Sequence, residues 1–97
     1  MAGVVISNQV LSGGQSSKVV TSTTSAQSVA LTGYQYTIVS DTNVFVRLGA
    51  NPTAVSDGTD QLLLANQQYR ILPIVPGQKF AFILATGTGN VYLTPDA

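Results

Sequence analysis

Lys79-Phe80-Ala81-Phe82-Ile83-Leu84-Ala85 decides the fold class, because its bulkiest apolar residues fall on every second position. Phe80, Phe82 and Leu84 take one side of an extended chain, while Lys79, Ala81, Ile83 and Ala85 take the other. A period of two is what a β-strand shows when one face enters a core. The same rhythm runs upstream. Tyr34, Tyr36 and Ile38 share a face against Gln35, Thr37 and Val39, and Val44, Val46 and Leu48 oppose Phe45 and Arg47. Val91 and Leu93 alternate with Tyr92. No stretch carries a convincing helical period, since the nearest ones are short, β-branched and interrupted by Gly, Pro, Ser and Asn.

Strands are expected near 3–10, 17–23, 27–32, 34–40, 43–49, 61–65, 68–75, 79–85 and 90–94. The intervening clusters have turn chemistry. Ser12-Gly13-Gly14-Gln15 tolerates positive φ. Ser40-Asp41-Thr42-Asn43 reads as a tight hairpin closed by an Asx-type bond. Val75-Pro76-Gly77-Gln78 fits a type II turn, and Gly87-Thr88-Gly89-Asn90 reads as the last hairpin loop. The segment 50–60 is an exposed loop by composition. The expectation is all-β: a single antiparallel β-sandwich or jelly roll over residues 25–97. Residues 1–24, rich in Ser, Gly and Gln, are either an edge strand or an extended N-terminal arm that orders on a partner.

The 97 residues suffice for one domain and one core. Histidine, cysteine, tryptophan and glutamate are all absent, and 8% of the residues are charged. Lys18, Arg47, Arg70 and Lys79 are scattered and balanced by Asp41, Asp57, Asp60 and Asp96. Without a basic patch, nucleic acid is not an expected partner. Without His or Glu, general acid–base catalysis lacks its usual groups, so an enzyme and a cofactor are not expected. No apolar run approaches the length of a membrane span. The start, Met1-Ala2-Gly3-Val4-Val5-Ile6-Ser7, lacks the basic and apolar regions of a secretory signal, so synthesis in the cytoplasm is expected. Proline inside Asn51-Pro52-Thr53 removes the one glycosylation triplet.

Three constellations could carry chemistry. Asp57 and Asp60 share one loop and read either as hard-cation ligands or as two solvated acids in a glycine-containing turn. The repeating oxygens and closing Glu of a calcium loop are missing, so no metal is expected. Gly87-Thr88-Gly89 superficially matches a phosphate loop, but a strand pattern follows it instead of a helix. Tyr34, Tyr36, Tyr69 and Tyr92 could stack on a sugar, with Tyr92 the best exposed candidate and Tyr34 and Tyr36 on the core side.

More apolar strand positions exist than one core needs. The segment 69–75 is apolar on both faces, with Tyr69, Ile71 and Val75 against Leu72 and Ile74. Val39, Phe45, Leu72, Ile74, Ile83 and Tyr92 are left as candidates for a second apolar surface, joined by Val4 and Ile6 in the N-terminal stretch. Each such side chain, once buried, is worth about 1.5–3 kcal/mol, so several together could hold an oligomer or a partner. The neutral amides and hydroxyls around them dehydrate at far lower cost than charges.

From Asn43-Val44-Phe45-Val46-Arg47-Leu48-Gly49-Ala50-Asn51-Pro52-Thr53-Ala54 the chain runs through Gln61-Leu62-Leu63-Leu64-Ala65-Asn66 and Val75-Pro76-Gly77-Gln78-Lys79-Phe80 to Gly89-Asn90-Val91-Tyr92-Leu93-Thr94. This order resembles small structural proteins from the virion modules of tailed bacteriophages. The resemblance covers residues 43–94. It implies a β-sandwich or jelly-roll subunit that decorates or cements the outside of a capsid, commonly as a trimer, with the major capsid protein as partner. The alternative reading is a tail- or fibre-associated module that binds a host carbohydrate.

Overall fold

From Ser17 onward, each alternating segment contributes a strand. The structure, a computed structural model that describes residues 17–96, contains eight strands and no helix among those residues. They are β1 (Ser17–Thr21), β2 (Ala26–Gln27), β3 (Gln35–Ser40), β4 (Val44–Gly49), β5 (Gln61–Leu63), β6 (Gln68–Ile71), β7 (Lys79–Ile83) and β8 (Gly89–Asp96). Of the stretch 1–24, Ser17–Thr21 forms the edge strand β1, and residues 1–16 lie outside the described residues.

The strands form two antiparallel sheets, β1-β8-β3-β6 (sheet 1) and β2-β7-β4-β5 (sheet 2). Pairing is nested: β1 with β8, β2 with β7, β3 with β6, β4 with β5. One long antiparallel ribbon, with its tip at 50–60, is thus rolled so that successive strands alternate between sheets on either side of the β4–β5 pair at the tip. That is the double-sheet jelly roll.

The inner faces meet in one core. Sheet 2 contributes Val44, Val46, Leu63, Phe80, Phe82 and Leu84, while sheet 1 contributes Val19, Tyr36, Ile38, Val91 and Leu93. Phe80 meets the Tyr36 ring edge-on at 6.3 Å, so the two sheets are tied by an aromatic contact. The Tyr36 hydroxyl stays satisfied by accepting the Thr32 N–H at 3.1 Å.

Five local expectations need correction. Ser40-Asp41-Thr42-Asn43 and Gly87-Thr88-Gly89-Asn90 are not hairpins: each carries the chain from one sheet to the other. A two-residue hairpin needs positive φ at its centre, and neither Asp41 nor Thr42 adopts it. Instead the Ser40 hydroxyl donates to the Thr42 carbonyl at 2.6 Å and bends the chain. The Asp41 carboxylate then accepts the Asn90 N–H at 2.8 Å and binds the two corners together. Gly89 permits this approach, since a Cβ there would run into Thr42 Oγ1 and lie 2.8 Å from Asp41 Oδ1.

Ile74 does not belong to a second surface. Strand β6 ends at Ile71, alternation lapses, and Ile74, held by its N–H to the Tyr34 carbonyl (2.9 Å), turns into the core at 2% exposure. Tyr34, expected on the core side, precedes β3 and is 62% exposed. The loop 50–60 is not wholly exposed either, because Pro52 and Ala54 are buried. The turn at Val75–Gln78 is as read from the sequence: Gln78 N–H donates to the Val75 carbonyl at 3.1 Å, and Gly77 takes φ 97°.

Two substitutions test this packing by denaturant unfolding. Thr21 lies in the interior with a hydroxyl that has no hydrogen-bond partner among the described residues. Thr21→Val is expected to raise stability by about 1 kcal/mol, and a lowered midpoint would show that the hydroxyl is bonded. Gly89→Ala is expected to cost roughly 1–3 kcal/mol through overpacking of the corners, and an unchanged midpoint would contradict the close approach.

Candidate interaction surface

Outer faces of the sandwich decide what this chain can touch. On sheet 2, register aligns Leu62, Phe45 and Ile83 in one row across β5, β4 and β7. Phe45 and Ile83 are half-buried and Leu62 is 43% exposed, so the row is a shallow apolar strip. The adjoining row is Arg47, Ala81 and Gln27. Here the molecule covers itself. The Gln27 amide donates to Asn51 Oδ1 (2.9 Å) and to the Pro52 carbonyl (2.8 Å), and Arg47 Nε donates to Asp60 Oδ1 (2.7 Å). Ala81, outward by alternation, is buried in this row. The loop 50–60 therefore closes the polar half of the face and leaves the apolar half open.

The same contacts settle what Asp57 and Asp60 do. Asp60 divides its oxygens between Arg47 and the Val55 N–H (2.7 Å). Asp57 Oδ1 accepts both the N–H (3.0 Å) and the hydroxyl (2.7 Å) of Thr59. The two carboxylates thus serve separate turns, and no group of three or more potential metal-ligating side chains occurs among the described residues. The Thr59 hydroxyl, followed by its N–H, holds the Asp57 carboxyl below its ordinary value of 3.8.

On the opposite side of the sandwich, Lys18, Tyr92, Val39 and Gln68 form a row across sheet 1. Tyr92 is 41% exposed and Val39 half-buried. Phe45 and Ile83 are therefore neighbours, Val39 and Tyr92 are neighbours, and the two pairs look outward in opposite directions. The tyrosines do not converge on a sugar platform. Tyr36 is in the core, and the Tyr69 hydroxyl accepts the Leu64 N–H at 3.0 Å. Exposed Tyr34 lies on the order of 16 Å along β3 from Val39, the strand partner of Tyr92.

Leu72, 48% exposed, belongs to a third place. It lines a cleft of about 390 Å³ between the outermost strands β5 and β6, floored by Val46, Leu63 and Phe80. Val4 and Ile6 lie outside the described residues. The sequence reading missed Leu62, although its signal was present: in Leu62-Leu63-Leu64 only the central residue is buried, so alternation sends the outer two to the surface. Comparison with known protein families, with curated proteins and with solved structures finds no match.

The depressed Asp57 pKa has a definite sign. Its contribution to stability is present above the unfolded value of 3.8 and is lost as pH falls through the lower folded value. Thr59→Val removes the hydroxyl donor and keeps the N–H, so the Asp57 midpoint should rise toward 3.8 in a carboxyl carbon NMR titration. An unmoved midpoint would assign the effect to the backbone alone.

Proposed function

We propose that this protein is a capsid decoration (cement) protein of the kind found on tailed bacteriophages. It docks on the outside of the head as a homo-oligomer, a trimer by resemblance, and stabilises the shell by bridging neighbouring capsid subunits. The carrying observation is the open Leu62–Phe45–Ile83 strip on a sandwich that already has a core built from its two inner faces. A jelly roll needs no outward apolar row for its own stability, and such a strip on a small soluble domain marks a contact surface. Charges are few in the chain as a whole, and Arg47 in the adjoining row is already paired with Asp60, so docking there does not leave an unpaired ion behind.

Magnitude favours a lattice over a single tight complex. Complete burial of one large aliphatic or aromatic side chain is worth about 1.5–3 kcal/mol, and two of the three residues are already half-covered. After the cost of association, one such contact is weak. Copies joined to each other and set on a repeating shell convert weak contacts into effectively intramolecular ones. The resemblance of residues 43–94 to virion structural proteins points the same way.

The test is to mix the purified protein with expanded empty capsids and follow co-sedimentation and shell melting. The native chain is expected to co-sediment and to raise the melting temperature. Leu62→Asp, at an exposed position, should weaken binding at least roughly tenfold without altering the fold. Tyr92→Ala, on the opposite face, should leave shell binding unchanged. Absence of any co-sedimentation and of any melting shift removes the proposal. Glycan binding that Tyr92→Ala abolishes would put a host-carbohydrate module in its place.

A further inference from the structure

Asp57 and Gly58 lie at the tip of a small closed loop that neither the core nor the apolar strip uses. Asp60 fastens the base of that loop, with Oδ2 on the Val55 N–H at 2.7 Å and Oδ1 on Arg47 Nε at 2.7 Å. Residues 56–59 project from this base and are exposed. Gly58 turns at φ 95°, and a Cβ built there would meet nothing within 4 Å. The tip is thus open to water on a loop whose base is fixed.

Among Asp41, Asp57, Asp60 and Asp96, Asp57 is the one followed by glycine. A side chain after aspartate screens the next main-chain nitrogen, and glycine has none. Thr59 also aims the carboxyl. Its N–H at 3.0 Å and its hydroxyl at 2.7 Å both donate to Asp57 Oδ1. An oxygen drawn to the amide two residues on carries its carboxyl carbon over the amide in between, which here belongs to Gly58. The Thr59 contacts do not use Oδ2, so that oxygen can take up a proton and depart. Asp41 and Asp60 are arranged differently, each with both oxygens engaged, by Asn90 in the first case and by Arg47 and Val55 in the second.

We infer that Asp57 is a site of spontaneous isomerisation to isoaspartate. The Gly58 nitrogen attacks Asp57 Cγ and a C–N bond forms. The bond from Cγ to protonated Oδ2 breaks, and the amide proton leaves with that hydroxyl as water. Water then opens the succinimide at either carbonyl, so the water lost is regained and no other reactant is consumed. Opening at Cγ restores aspartate. Opening at the main-chain carbonyl routes the chain through Cβ and Cγ, with one more main-chain carbon. Oδ1 becomes a peptide oxygen and the charge moves to Cα, so the Thr59 turn keeps at best a neutral acceptor in place of an ionised one. The reaction needs neither a shell nor a partner, so it holds or fails independently of the capsid reading.

The test is prolonged incubation of the purified full-length chain in mildly acidic buffer. Tryptic digestion then isolates residues 48–70, and electron-transfer fragmentation distinguishes isoaspartate from aspartate at each position. Isoaspartate is expected to accumulate at position 57 at least roughly tenfold faster than at Asp41, Asp60 or Asp96. Gly58→Ala sets a methyl group beside the attacking nitrogen and should slow the reaction at least roughly tenfold. Because alanine is strained at that φ, Asp57→Asn provides a second variant. It should pass through the same ring with loss of ammonia and yield both aspartate and isoaspartate. Accumulation no faster than at the other aspartates, an undiminished rate in Gly58→Ala, or no isoaspartate from Asp57→Asn would each overturn the assignment. So would a folded chain that stays unmodified while the same chain reacts in urea, since the native loop would then protect Asp57.

Discussion

Two apolar sheet faces must close on each other before any other feature of this molecule can exist, and the Tyr36–Phe80 contact lies at that closure. Phe80 and Phe82 are fully buried, with ring centroids 5.8 Å apart, and they fill the layer between Ile38 and Leu93 on one sheet and Val44 and Val46 on the other. Aromatic rings suit this position because each buries a large area with few rotatable bonds. The polar price is small: Tyr36 keeps its hydroxyl bonded to the Thr32 N–H, and Ser28 both receives the Phe80 N–H at 3.0 Å and donates to the Val29 carbonyl at 2.8 Å. A core fed equally by both sheets explains why neither sheet can be read as a separate unit.

Rolling the ribbon follows from how the corners are made. Strands joined within one sheet would put Ile38 beside Val44 on a single face, with nothing opposite. Carrying the chain across at residues 40–43 and 87–90 places those faces against each other, and the Asp41 carboxylate locks both crossings through Asn90. An ionised acceptor taking backbone and side-chain N–H groups is stronger than a neutral one, so a scarce charge is used where two loops must keep register. Asp60 does comparable work at the ribbon tip, fastening Arg47 and Val55.

The sequence made the strands legible and left their partners hidden. Alternation at 35–40, 44–48 and 79–83 placed the inner residues correctly, because side-chain direction in a strand is set by parity alone. Parity carries no information on which strand lies alongside, so two sheet crossings read as hairpins. It also fails where a strand ends. Ile74 and Tyr34 each sit just past a terminus, and their backbone bond to one another sends Ile74 inward and leaves Tyr34 in solvent. The loop 50–60 looked exposed because its composition is polar, yet the Ala54 N–H finds Ser25 Oγ at 2.9 Å, a contact of long sequence separation that no local pattern encodes. Of the surface residues, Phe45, Ile83 and Tyr92 were visible as apolar residues out of phase with the core. Their division between opposite faces required the topology.

Edge strands show how a chain with so little charge can stay specific in its contacts. β1, β2, β5 and β6 terminate the sheets, and none exceeds five residues, whereas the central β8 runs for eight. Short edges offer few backbone groups for indiscriminate pairing, and Lys18 and Arg70 on β1 and β6 discourage it further. Net charge is zero, so repulsion between whole molecules does not provide that protection. Apart from those edges, the described residues present two side-chain surfaces of apolar character: the strip on sheet 2 and the cleft between β5 and β6.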